Sequence, residues 1–358
     1  MPSELIRKAD DTLYEHLYRF RIFDYLNPLN RLEEKDKFLT AWRNGETYHP
    51  VFEYKKLPAS LGKIETSLKN LKFDQSALAK LYESTRDEYL SVIGLLRVRG
   101  KENFGEKVTE VYGAPKIDAI EKNQDIFKKE SRFQRPLEIG IKALSETLRN
   151  KIREERIEGW EITEDPLCVD FAEADVSHHK IRLQTGLLIS KKDMRRLRYR
   201  LIQVHLYRAQ NGERQTYKIF GIGTAGAWAT EEALAMNFEK TLSLADTDMI
   251  RVYAGKFWAC ALAPVHSFYG VFSKLETEFD LETAYTLTES VKRGLANTVQ
   301  TGGWTRDHTC FIEQKKISNL SKEDLRLLYT GRISLQQLDL VRHMISKEEL
   351  ISPAFLPR

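Results

Sequence analysis

A chain of 358 residues with 42% hydrophobic and 30% charged side chains is long enough to bury a sizeable core and falls outside the disordered and fibrous classes. Its net charge of +4 is too small for this length to point to nucleic acid, and its longest apolar run, around Trp258 to Val265, is far short of the roughly 20 residues of a membrane-spanning helix. Three widely spaced cysteines, Cys168, Cys260 and Cys310, form no C-x-x-C pair, which argues against a disulfide framework or a cysteine-rich zinc site and leaves them as buried thiols.

Met1 to Asp11 lacks the apolar centre of a secretory signal, so a cytoplasmic chain is expected. Leu5, Leu13, Leu17, Phe20 and Tyr25 recur at helical spacing and predict an amphipathic helix over Glu4 to Tyr25, stopped by Asn27-Pro28. Two further helices are expected over Leu32 to Trp42 and Ser76 to Leu96. After Pro136 a long helix over Ile139 to Ile157 gives way to short β-branched segments at Trp160 to Ile162, Cys168 to Phe171 and Lys180 to Leu183. There is no repeat, low-complexity tract or Gly/Ser linker, so a boundary near residues 135–155 reads as a packed junction.

The stretch from Ser190 to Arg208 carries the most information. Ser190 is a credible N-cap and Asp193 sits in the first turn. Met194, Leu197, Leu201 and Val204 make a core-facing stripe, while Lys192, Arg196 and Arg200 form a basic row. A solvated basic face over a buried stripe accounts for that pattern without any special chemistry. Asn211-Gly212 then reads as a turn, Thr216 to Phe220 as a strand, and a second helix as beginning near Thr230. Between them Gly221, Gly223 and Gly226 fit G-x-G-x-x-G, with Asp246 and Asp248 about where a ribose-binding acid belongs; the alternative is a glycine-rich connector.

The order of a helix ending in His205, a glycine-rich connector and Thr230-Glu231-Glu232-Ala233-Leu234-Ala235 resembles the MATCAP tyrosine carboxypeptidase family, whose bacterial members are called QEGLA-motif proteins. Asn27-Pro28-Leu29-Asn30, Pro50 to Tyr54, Tyr112-Gly113, Gly302 to Asp307 and Gly331 to Ser334 extend the likeness over nearly the whole chain. In that family H-E-x-x-x-H on one helix and the glutamate of E-G-L-A on another bind zinc, and the glutamate of H-E activates water. Carried across, the resemblance implies remnant metal ligands at His205 and Glu232. Arg200 takes the place of the first histidine and Leu201 that of the general base. Ligands five apart lie about 140° round an ideal helix, so aiming both at one ion needs a local widening, and Arg200 and His205 keep that spacing.

Guanidinium does not ligate metal and leucine takes no proton from water, so ordinary zinc hydrolysis is not expected. Two arrangements remain open for the altered site: Arg200 reaching across to pair bidentately with Glu232 where zinc would sit, or Arg200 turned outward while His205 and Glu232 hydrogen-bond to each other. Arg306, in the segment resembling the family's C-terminal active-site wall, is a candidate for binding a peptide carboxylate or a plain surface arginine.

The expected architecture is α+β, with a helix-rich N-terminal portion (residues 1–150) packed as one unit on a zincin-like metallopeptidase half (residues 151–358) that holds a small β-sheet. The expected function is that of a non-catalytic pseudopeptidase binding a peptide or protein C-terminal tail, with no cofactor, nucleic acid or membrane. An active zinc metallocarboxypeptidase of the tyrosine-removing type is the alternative, with zinc held by a rebuilt site drawing on His178, His179 or His308; adjacent His178 and His179 on a strand point to opposite faces, so one at most would serve. A nucleotide-binding protein using Gly221, Gly223 and Gly226 is the third reading. His16, His49, His266 and His343 show no partner spacing.

Overall fold

Helices start in this chain where a short polar side chain accepts from one of the first, otherwise unpaired, backbone N–H groups. Ser3, Ser76, Ser190, Asp246, Asp280 and Ser321 each accept from the N–H three residues on. The computed structural model describes residues 3–18, 20–116, 127 and 137–357. Pro136, expected to precede the long helix, lies outside them. The first part contains α1 (Glu4–Leu17), α2 (Phe23–Leu26), α3 (Arg31–Arg43), α4 (Leu61–Lys69), α5 (Ala77–Val98) and α6 (Phe104–Tyr112). Next come β1 (Ile139–Gly140), α7 (Ile141–Glu154), β2 (Glu161–Asp165), β3 (Ala172–Asp175), β4 (Lys180–Gln184) and β5 (Leu188–Ile189). The rest runs through α8 (Lys191–Arg198), a π-helical stretch (Tyr199–Leu206), α9 (Tyr207–Glu213), α10 (Ile219–Ile222), α11 (Ala227–Thr241) and α12 (Thr247–Leu262). It ends with α13 (Phe268–Leu275), α14 (Leu281–Lys292), α15 (His308–Ile317), α16 (Lys322–Leu327) and α17 (Leu338–Ser346).

The fold is α+β, as expected, with the strands gathered into two small sheets. In the larger one β4 lies in the middle, parallel to β2 and antiparallel to β3. Its K-I-R-L-Q alternation turns Ile181 and Leu183 inward, where they meet Leu144, Leu148 and Ile152 of α7 and Leu201, Ile202 and Leu206 of the π-helical stretch. That cluster fixes the stretch from behind. A second cluster joins Ile6, Leu13, Leu68 and Tyr82 of the early helices to Phe220, Leu234 and Val341, so α11 is gripped from the N-terminal side of the chain.

Several expected elements differ. The first helix stops at Leu17, and Phe23–Leu26 forms a separate turn. Cys168 to Phe171 is not a strand: the Asp165 side chain accepts from Leu167 N–H, turning the chain at Pro166, and pairing resumes only at Ala172. Thr216 to Phe220 leads into the short helix α10 instead of forming a strand, because the Asp10 carboxylate of α1 accepts from both Lys218 and Ile219 N–H at 2.9 Å. Asn211-Gly212 continues α9 instead of turning. Its glycine is required there, since a Cβ would lie 2.1 Å from the Phe220 carbonyl oxygen. The second site helix starts at Ala227, three residues before Thr230, behind Gly226 at a left-handed φ of 75°.

Candidate functional site

The site lies between two helical segments of unlike sequence. Ser190 caps α8 by accepting from Asp193 N–H at 3.1 Å, and the helix then widens into the π form from Tyr199 to Leu206 before narrowing into α9. With hydrogen bonds reaching five residues along, Arg200 and His205 are brought towards a common side, which an α-helix would not do. Opposite, α11 presents Glu231, Glu232 and, two turns on, Glu239.

Glu231 is the most enclosed charge here, with 3% of its surface exposed. His205 Nδ1 bonds its Oε1 at 2.6 Å, while Arg208 Nη1 and Arg332 Nε donate to its Oε2 at 3.2 and 3.1 Å. Burial alone would raise this carboxyl, but Arg332, His205 and Arg208 outweigh it and hold Glu231 far below the usual carboxylate range. The bond also fixes the imidazole. With Nδ1 directed at a carboxylate, Nε2 turns towards Glu232 Oε1, 3.8 Å away, the orientation that a second-layer carboxylate imposes on a metal-binding histidine.

Glu232 faces His205 with one oxygen and receives a hydrogen bond from Arg200 Nη2 on the other. Of the two arrangements left open by the sequence, Arg200 therefore reaches across, though with one prong to Glu232 and not two. Its Nη1 turns to Glu239 Oε1 at 3.2 Å and lies 3.5 Å from the Tyr253 hydroxyl. Glu239 is shared further, with Arg196 Nη1 at 3.2 Å and with the Tyr253 hydroxyl, which donates to its other oxygen. Arg196 is thus buried in an ion network instead of belonging to a solvated row, while Lys192 meets Asp246 at 3.1 Å. Leu201 is 1% exposed and packs into the apolar cluster behind the stretch, and Ala233 is buried within α11.

Zinc of the catalytic kind takes three protein ligands and keeps a place for water. The residues present do not fit it: His205 and Glu232 supply two donors, and a guanidinium with no lone pair to give reaches Glu232 from the third position. Among the described residues no group of three or more His, Cys, Asp or Glu is placed to hold a metal ion.

The other candidate residues are engaged elsewhere. His178 lies in a 3-10 turn, not on a strand, with Nδ1 3.0 Å from Asp175; His179 follows in a left-handed conformation, 2.6 Å from Glu213 and stacked on Trp160. His308 opens α15 and is bonded through Nδ1 to the Thr305 carbonyl at 2.6 Å. Arg306 is buried, not a surface arginine, and lies 3.8 Å from the Trp228 ring centre. The strand that a dinucleotide fingerprint needs is missing, Gly221 being inside α10. At Gly226 the start of α11 is already met by a carboxylate, since Glu88 Oε2 accepts its N–H at 2.7 Å, and Asp246 caps α12.

Sequence reasoning missed Glu231, Arg208, Arg332, Glu239 and Tyr253. A partial signal existed for Glu239, which is seven residues after Glu232 and so on the same helix face. For Arg332 the signal was its place in Gly331 to Ser334, a stretch that resembles the family, but nothing local pairs it with Glu231, 101 residues away.

Residues 37–358 match the model of the family described as Microtubule-associated tyrosine carboxypeptidase. None of the curated proteins matches the chain at a significant level.

Proposed function

We propose that this chain, which belongs to the Microtubule-associated tyrosine carboxypeptidase family, is a cytoplasmic protein that binds a peptide or protein C-terminal tail beside the altered site of Arg200, His205 and Glu232 without hydrolysing it. The observation that carries this reading is the Arg200–Glu232 ion pair. It sets a permanently protonated group beside the two remnant ligands, His205 and Glu232. Leu201 cannot serve as a general base, and its side chain belongs to the core. The widened helix and the oriented imidazole suit recognition of the ligands that the family name implies, peptides ending in tyrosine. No helix of the described residues is long and apolar enough to cross a membrane.

The test combines metal analysis of the purified chain after incubation with zinc, an assay for tyrosine release from a peptide ending in that residue, and calorimetry with the same peptide. Binding without stoichiometric zinc and without release is the expected result. One zinc per chain together with tyrosine release, both lost in His205→Ala, would defeat it.

A further inference from the structure

Leu350 is the last residue packed into the core that the early helices share. Beyond it, residues 351–357 form neither helix nor strand. Among the described residues, the five hydrogen bonds of this segment all run to two side-chain amides. Gln215 donates to the Ile351 carbonyl and accepts from the Ile351 N–H, both at 3.0 Å. Asn211 donates to the Phe355 carbonyl at 2.7 Å and accepts from the N–H groups of Ala354 and Phe355 at 2.9 and 3.0 Å.

A side-chain amide carries the same donor and acceptor as a peptide group, so Asn211 and Gln215 read main chain and are blind to sequence. Both are buried and four residues apart, Asn211 on α9 and Gln215 just past its end. Side chains are read at one place: Phe355 lies 5.7 Å from the Tyr207 ring and, with Leu356, packs on the cluster that contains Leu201 and Leu206. Ile351, Ser352 and Ala354 are exposed. Main-chain bonds for affinity and a single apolar seat for specificity are the terms on which a domain holds a peptide ligand.

We propose that α9, with Gln215, forms a peptide-docking site separate from the altered site, whose resident ligand is residues 351–357 and which takes the same residues of a second copy in exchange. A second copy carries the sequence that already fits, and a reciprocal exchange closes into a two-fold dimer using the same contacts. Because the resident segment is tethered, it competes at an effective concentration on the order of millimolar. The proposal is independent of peptide binding beside Arg200, His205 and Glu232, since the docked segment lies against the cluster behind the π-helical stretch.

Fluorescence anisotropy with a labelled synthetic peptide of residues 351–357 tests it on the full chain. The unaltered chain should bind the peptide weakly. Phe355→Ala in the chain loosens the resident and should tighten the peptide at least about tenfold. Adding Asn211→Ala to that variant, or replacing the peptide's own phenylalanine by alanine, should remove the gain. Ala354→Pro, at an exposed position, deletes one N–H that Asn211 accepts and opens the site by a second route if Phe355→Ala unfolds. A folded variant that binds the peptide no better than the unaltered chain overturns the exchange, and so does a gain that persists with the alanine-bearing peptide. Sedimentation of the unaltered chain at rising concentration should show a dimer that excess peptide dissolves; a monomer throughout overturns the second copy as the occupant.

Discussion

A carboxylate shut away from water keeps its charge only if enough positive or hydrogen-bonding groups face it, and Glu231 has three such neighbours in His205, Arg208 and Arg332. Removing that charge strands two arginines, so Glu231→Gln should cost about 2–4 kcal/mol at neutral pH, read from urea unfolding. The pH dependence has a definite sign. Glu231 titrates below its ordinary value of 4.5 in the folded chain, so the unfolded chain takes up its proton first as pH falls. Its contribution is complete above that value and drains away below it. The variant should therefore show a flatter acid limb than the unaltered chain, and parallel acid limbs would rule out Glu231 as a stabilising charge. At this scale the sequence exposed the replaced residues, Arg200 and Leu201, because they break a local motif. It hid Glu231, since Arg332 comes near it only once α10 and the loop before α17 are packed, where Arg332 N–H bonds the Phe220 carbonyl.

The element that makes the site is the π-helical stretch, and its register was legible in the five-residue spacing of Arg200 and His205. Caps and alternation were legible too: Ser190 and the buried Ile181 and Leu183 stand where local rules place them. Thr216 to Phe220 was not, because Asp10, far away in α1, fixes two backbone N–H groups that a local pattern assigns to a strand. If the widened turn still holds the register of a metal site, one substitution should restore a full ligand set. Arg200→His would place a second imidazole five residues before His205 and facing Glu232, with Glu231 still orienting His205. That variant is expected to bind one zinc per chain by metal analysis, and to release no tyrosine from a peptide because Leu201 still offers no base. Failure to take up zinc while remaining folded by circular dichroism would mean that the stretch no longer points its positions at a common centre.

On the scale of the molecule, the early helices and the chain's end share a core, from Ile6 of α1 to Leu350, so the helix-rich portion and the part bearing the site are joined by packing. A further tie lies within the later part and joins a charge to neutral carbonyls. Lys292, at the end of α14 and fully buried, donates through Nζ to the carbonyls of Ala263, His266, Gln300 and Gly302, joining the end of α12 to the glycine loop that leads to Trp304 and Arg306. Neither sequence composition nor spacing marks it, because its partners are backbone oxygens that any residue could supply. Burial pulls the ammonium down from 10.5 to about 7. Between those values the unfolded chain holds a proton that the folded chain has released, so stability rises as pH climbs from about 7 towards 10 and is least helped below 7. The slope reaches at most about 1.4 kcal/mol per pH unit for one proton. Lys292→Met keeps the length of the side chain and has nothing to titrate. Urea midpoints measured across this range should climb in the unaltered chain and stay level in the variant; equal slopes in the two would show that Lys292 keeps its proton throughout and that the four carbonyls stabilise the ammonium more than burial opposes it.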